Sequence, residues 1–336
     1  MSLSRRSSLR LLGGTATAAL APLLACRRRS LAERPADRRR LGLLQFVDAA
    51  PANAARDGFL AALARNGWRQ GERLELTMGE AEGRAARCRE LAQQLVAADP
   101  DLVVAIGTPP LVALLASAPR HLPVVFCYCS NPWGAGAGYS ATQHLAHVTG
   151  TVTTTPVGEQ LQLARQLLPG LSRVGVIYNP AEPNSSFEVE LLAQAADQQR
   201  LQLLREAVNA VADLPEAFAR LQAGGLQALI KVGDYVTLEG FQQLAARALK
   251  ARLPLIGVDP ADAAVAGCLA VVGWDPRRDG EWAGGLAAQV LRGRSPALIP
   301  IQQPGPAGLW LNVGTARRLG MVLPAELRAR AQLVGR

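Results

Sequence analysis

Alternation is the feature that most constrains this chain. From residue 41 onward, short runs rich in leucine and β-branched residues are separated by longer Ala/Leu/Arg/Gln segments with helical spacing. The spacing predicts strands over 41–47, 73–78, 102–107, 124–129, 173–178, 201–208, 228–232, 255–258 and 269–273. Helices are predicted over 51–66, 83–98, 109–118, 156–168, 184–199, 213–223, 238–251 and 276–292. Strands that alternate with helices form parallel sheets covered on both faces. The series runs once from 41 to 129 and again from 173 to 258, with a Gly-, Ser- and Thr-rich segment, 130–155, between them. The expected fold class is therefore α/β, with two doubly wound parallel-sheet lobes joined by a hinge and a ligand cleft between them. Lobe I is expected to take 41–150 plus 275–293, and lobe II 151–274 plus 294–336.

Size and charge agree with that division. A chain of 336 residues is long enough for two domains at roughly 100–200 residues each. Its net charge of +9 is concentrated at one end: ten arginines against Glu33 and Asp37 place +8 of it within residues 1–40. The near-neutral remainder lacks the clustered cations that bind phosphate backbones, so no nucleic-acid partner is expected. Outside the first 25 residues no stretch approaches the roughly 20 apolar residues of a membrane span.

The N-terminus reads as an address. Residues 4–10 are Ser-Arg-Arg-Ser-Ser-Leu-Arg, followed by a mildly apolar run over 11–24. This looks like a twin-arginine export signal, with Ser8 where phenylalanine is usual. The run ends Leu-Leu-Ala-Cys at 23–26, which resembles a lipobox and would make Cys26 an acylated first mature residue. The alternative is an ordinary secretory signal with an incidental cysteine. Residues 1–26 are thus expected to be the export signal, and residues 27–40 a basic disordered tether. The protein would be exported to the periplasmic face and anchored to a membrane by lipid.

The other cysteines, Cys88, Cys127, Cys129 and Cys268, are expected to be buried thiols. Cys127 and Cys129 lie too close along one strand for a relaxed disulfide, and no second pair or well-placed histidine makes a metal site of them. His144 and His147, three apart in a polar loop, read as a solvated surface rather than metal ligands. No metal is expected. Nor does the chain carry G-x-G-x-x-G, a Walker A sequence, G-x-S-x-G or H-E-x-x-H, so neither a cofactor nor a catalytic residue is expected.

Ligands of open α/β sheets collect at the carboxyl ends of the strands, and those ends are chemically specific here. Aromatic residues are only 4% of the chain, yet Phe46, Tyr128, Trp133, Tyr178, Tyr235 and Trp274 all fall at or near strand ends. Several segments carry a resemblance. They are Leu-Gln-Phe-Val (44–47), Asp-Gly-Phe (57–59), Asp-Leu-Val-Val-Ala-Ile-Gly-Thr-Pro (101–109), Pro-Val-Val-Phe (123–126), Asn-Pro-Trp-Gly-Ala-Gly (131–136), Val-Thr-Gly (148–150), Val-Gly-Val-Ile-Tyr-Asn-Pro-Ala-Glu-Pro-Asn-Ser (174–185) and Leu-Asn-Val-Gly-Thr-Ala-Arg-Arg-Leu-Gly (311–320). Together they resemble the ABC-transporter substrate-binding proteins of the tryptophan/tyrosine-binding type, which have the type I periplasmic-binding fold. The likeness extends over 41–325. It departs from the family at Asn131, where Asp is usual, at Cys127 and Cys129, and at Gly-Trp-Asp-Pro (273–276).

The resemblance implies a solute-binding protein, not an enzyme. It would hold a small solute, an amino acid, between two lobes and deliver it to an ABC permease in the inner membrane, acting as a monomer. An aromatic amino acid suits the aromatic strand ends. Candidate ligand residues are Phe46, Thr108, Asn131, Trp133, Asn184, Ser185, Asp234, Tyr235 and Asp259. Thr108 opens a helix through Pro109 and reads either as an anion-holding residue or as a helix cap. Asn184 and Ser185 carry the same ambiguity, with the family motif behind the ligand reading. Asp234 and Asp259 would pair with an ammonium group or would steady turns. Phe46, Trp133 and Tyr235 would stack on the solute or fill the core. Two other readings stay open: a ligand-sensing module that signals to a membrane partner, and a nucleotide-cofactor enzyme on the same fold, against which the missing phosphate motif counts.

Overall fold

The computed structural model describes residues 38–335. The expected export signal, Cys26 and most of the expected tether lie outside the described residues. The first sheet contains β1 (Arg39–Gln45), β2 (Leu74–Glu80), β3 (Leu102–Ile106), β4 (Val124–Cys129) and β5 (Val148–Val152), in the order β2-β1-β3-β4-β5 and parallel throughout. Between these strands run α1 (Ala50–Arg65), α2 (Ala85–Ala97) and α3 (Thr108–Ser117). The second half alternates α4 (Val157–Leu167), β6 (Arg173–Tyr178), α5 (Pro183–Gln198), β7 (Gln202–Ala207), α6 (Leu214–Ala223), β8 (Ala228–Ile230), α7 (Tyr235–Glu239), α8 (Phe241–Lys250), β9 (Leu255–Gly257) and β10 (Cys268–Gly273). After α9 (Pro276–Leu291) come β11 (Gly308–Asn312), α10 (Val313–Leu319), α11 (Ala325–Arg330) and β12 (Gln332–Val334). The second sheet has the order β12-β11-β10-β9-β8-β6-β7, parallel except where β11 runs against β10.

Each sheet is apolar on both faces because helices cover both. In β3 every residue is buried, and Leu102, Val104 and Ile106 face one helix layer while Val103 and Ala105 face the other. This period-2 division of an uninterrupted apolar run is what a doubly covered parallel strand requires.

Several boundaries differ from the sequence expectation. Arg39 and Arg40 belong to β1 rather than to the tether, because Asp101 accepts from the Arg40 amide at 2.7 Å and from the Arg39 guanidinium at 3.3 Å. β5 lies inside the Gly-, Ser- and Thr-rich segment between the two series, where no strand was expected. Gly150 sits so close to the neighbouring strand that an added Cβ would come within 2.3 Å of the Phe126 carbonyl oxygen, and Thr149 donates to the Ile299 carbonyl at 2.9 Å. The helix expected over 238–251 is two helices that break at Gly240, where a Cβ would meet Leu214 at 2.1 Å.

The chain leaves the first sheet between Val152 and Val157, returns between Gly273 and Pro276, and leaves again between Gln302 and Gly308. The third passage was expected at 294. It comes later because Ile299 and Ile301 pack into the cores of the first half and Gln302 pairs with Thr151. Helix α9 is held in the first half by close packing on α1, where an added Cβ on Gly280 would lie 1.8 Å from the Ala55 carbonyl oxygen and one on Gly58 2.1 Å from that of Arg277. Two of the crossing segments are tied to one another, since the Trp274 indole N–H donates to the Thr154 carbonyl at 2.9 Å.

Candidate functional site

The carboxyl ends of the two sheets face each other across a cavity of about 110 Å³, measured at the centres of water-sized spheres. On that measure a single water needs only about 10–15 Å³. One wall comes from the first half, with Phe46 after β1, Gly107, Thr108 and Pro109 at the β3–α3 turn, and Tyr128 and Ser130 at the end of β4. The other comes from the second half, with Glu182, Asn184 and Glu188 at the start of α5, Lys231, Gly233, Asp234 and Tyr235 after β8, and Asp259 after β9. Thr153, Thr155 and Trp274, on the crossing segments, close the side.

Direct contacts join the walls. The Tyr128 hydroxyl donates to Asp259 Oδ1 at 3.0 Å. Tyr128 itself has φ +51°, a left-handed conformation costly for a bulky residue. Asp279, buried on α9, holds it there by accepting the Tyr128 amide at 2.6 Å. Phe46 and Tyr235 meet edge to face across the cleft with ring centroids 6.4 Å apart and an interplanar angle of 82°. Tyr235 also lies on Gly83, where a Cβ would come within 2.6 Å of its ring. The halves are thus closed on one another.

Most polar groups of the second wall hold each other. Asp234 caps α7, its Oδ1 accepting the Thr237 amide at 2.7 Å and its Oδ2 the Ser185 hydroxyl at 3.3 Å. Glu182 accepts the Tyr235 amide at 2.9 Å and the Asn179 side-chain amide at 3.1 Å. Burial, and then the nearby Asp234 carboxylate, push the Glu182 carboxyl up to about 7. Glu188 accepts the Gly233 amide at 2.7 Å and is held by the hydroxyls of Thr155 and Ser130, yet its burial still raises its pKa. The Lys231 ammonium donates to both oxygens of Asp262, at 2.9 and 3.2 Å, and lies 3.6 Å from Asp259. Burial alone would lower the Lys231 pKa, but the Asp262 and Asp259 carboxylates outweigh it and raise it. Asp259 is raised, chiefly by burial, against the opposing pull of Lys231. Asn184 donates to the Gly233 carbonyl at 2.6 Å, while its Oδ1 is buried without a partner.

Of the nine residues proposed from the sequence, Phe46, Thr108, Asn184, Asp234, Tyr235 and Asp259 line this cavity. Three do not. Asn131 turns inward and accepts the Gly134 amide at 2.8 Å, bracing the turn after β4. Trp133 packs against the apolar core of the first half. Ser185 is fully buried behind the wall, where it serves Asp234. Thr108 is the first residue of α3 rather than its cap; Gly107, at φ +102°, takes the cap position, and the Thr108 hydroxyl lies 3.4 Å from the Cys129 sulfur. His147, expected at the surface, is buried. Cys88, Cys127, Cys129 and Cys268 are free, buried thiols.

Sequence reading passed over Lys231, Glu188 and Ser130. Lys231 had a signal, being the one charged residue in the apolar run Ala-Leu-Ile-Lys-Val at 228–232. Glu188 had none, because a glutamate on a helix is ordinarily a solvated one.

Residues 40–334 match the family model described as "ABC transporter substrate binding protein". The chain belongs to that family. A tyrosine-binding protein of Clostridioides difficile (strain R20291) is 26% identical over 281 residues, which are 84% of this chain and 81% of that protein. A solved structure of an ABC domain in complex with L-Trp from Streptococcus pneumonia aligns with a TM-score of 0.82 at 26% identity, covering 88% of this chain and 99% of that one. A conserved domain protein from Vibrio cholerae aligns with a TM-score of 0.83 at 27% identity, over the same shares of the two chains. The fold is that of type I periplasmic binding proteins, and family and neighbours are solute-binding proteins rather than enzymes. Substrate-binding proteins of ABC importers are extracytoplasmic and work with a permease on small-molecule solutes. Among the described residues no helix is long and apolar enough to cross a membrane.

Proposed function

We propose that this substrate-binding protein captures an amino acid, an aromatic one, between its two halves and hands it to its permease while anchored by lipid at Cys26 on the periplasmic face, as a monomer exported by the twin-arginine route. The observation that carries the ligand reading is the cavity. Phe46, Tyr128, Tyr235 and Trp274 line it together with the carboxylates of Glu182, Glu188, Asp234 and Asp259, a lining that suits an aromatic ring and an ammonium. The tyrosine- and tryptophan-binding relatives support the choice of solute. Contacts to both walls make the closed state the tight-binding one, so a solute shifts the halves toward closure in proportion to its preference for that state.

A thermal-shift screen of the amino acids on the whole chain tests this reading. A solute present at 100 times its Kd should add about 2.7 kcal/mol of stability. Stabilisation by tyrosine or tryptophan is expected, and no shift with any amino acid would refute the proposal. Loss of membrane association in Cys26→Ser tests the anchor.

A further inference from the structure

We infer that the outer end of the first half, where the chain enters at β1, is a docking surface for a bilayer with anionic headgroups and turns the cleft away from the lipid. The inference rests on the anchor proposed at Cys26 and goes beyond it, since an anchor alone fixes no face of the body.

The near-neutral sum of the body's charges conceals where they lie. All strands of the first sheet are parallel and run toward the cavity, so the turns that precede them gather at the far end. Arg39 and Arg40 open β1 there. Arg65 stands in the last turn of α1, with Arg69 and Arg73 in the turn before β2, and all three are exposed. Arg120, exposed, precedes β4. Arg292 follows α9 and reaches the same end, its Nη2 donating to the Asn66 carbonyl at 2.8 Å, and Arg294 comes two residues later. Against these eight arginines stand Glu72, Glu75, Asp99 and Asp101. Asp101 and Asp99 pair with Arg39 and Arg40, while Arg65 meets Glu281 at 3.5 Å in an exposed pair of the weak kind. Leu298 lies among these cations, 67% exposed, its carbonyl accepting from Arg294 at 3.1 Å. Cations beside an exposed apolar side chain suit an anionic lipid surface, whose attraction acts only within about 10 Å.

The point of entry selects this end. Arg39 stands 13 residues after Cys26, a span of at most about 45 Å. A lipid at Cys26 therefore holds the outer end of the first half nearest the headgroups. The outer end of the second half is basic too, with Arg165, Arg173, Arg200, Lys250 and Arg252 against Asp197, but it lies across the cleft from that point.

Hydrogen exchange of the whole chain on vesicles of phosphatidylethanolamine and phosphatidylglycerol tests this, with phosphatidylcholine vesicles as the neutral control and sedimentation read in parallel. Exchange should slow at 65–74, 120–122 and 292–298 on the anionic vesicles only, and not at 199–202 or 250–253. The protection should vanish in 1 M salt, where screening shortens to about 3 Å. In the unacylated Cys26→Ser chain, replacing Arg65, Arg69 and Arg120 together by Gln should weaken binding to anionic vesicles at least tenfold. The same change at Arg200, Lys250 and Arg252 should alter it less than twofold. Equal losses from the two triples, protection at the second outer end, or no protection in a chain that sediments overturns the inference and leaves the anchor standing. A chain that sediments with neither vesicle removes both.

Discussion

Tyr128 joins the two halves through one hydroxyl. Tyr128→Phe keeps the ring but leaves Asp259 Oδ1 without its donor, and an unsatisfied buried acceptor costs about 1–3 kcal/mol. The variant should melt at a lower temperature and bind solute about tenfold more weakly. A cycle with Asp259→Asn, read by thermal melts, should show the two changes to be coupled; additive losses would contradict the contact. Glu182 supplies a pH test. Its carboxyl rises from 4.5 to about 7 on folding, through burial and Asp234 and against the Tyr235, Asn179 and Asn184 hydrogen bonds. The folded state thus keeps the proton after the unfolded chain has lost it, so this group's contribution to stability declines as pH climbs from about 4.5 through 7 and stays lost above. The full change is on the order of 3 kcal/mol. Glu182→Gln should flatten that slope in melts between pH 5 and 8, and an unchanged slope would count against it. At this scale the sequence disclosed the strand-end aromatics and acids, since polarity at the end of an apolar run is a local signal. It could not disclose which way Asn131 or Ser185 turns, because that depends on neighbours distant in the chain.

Elements were legible wherever their own period set them. β1, β3, β4 and β6 fall where leucine-rich or β-branched runs end in polar turns. β5 was not legible because its Val-Thr-Gly-Thr-Val stretch is short and half polar, and it becomes a strand only by pairing with β4. β11 and β12 were missed for a similar reason: both are short and find their place through pairing with β10 and with each other. The pairing of α1 with α9, more than two hundred residues apart, left only a trace in the glycines of both helices. Gly280→Ala tests it, since the new methyl would lie 1.8 Å from the Ala55 carbonyl oxygen unless the helices part. Overpacking of this kind costs about 1–3 kcal/mol. Urea denaturation should show a loss of that size, whereas Gly285→Ala, whose Cβ meets nothing within 4 Å, should be neutral or slightly stabilising.

At the scale of the whole molecule, the repetition of one βα series made the two-lobed architecture readable, because each series needs a sheet of its own. Where the chain crosses between lobes was harder to read. The last passage slides from 294 to beyond Gln302 because Ile299 and Ile301 are claimed by the first half's cores, a preference that no local period records. Three crossing segments and a cleft lined from both sides suit the opening and closing that the proposed function requires. The most direct measurement is small-angle X-ray scattering of the whole chain during titration with the amino acid that stabilises it most. Compaction that saturates at the calorimetric stoichiometry of one is the predicted result. Full occupancy by calorimetry with an unchanged scattering curve and no closing of the halves would contradict it.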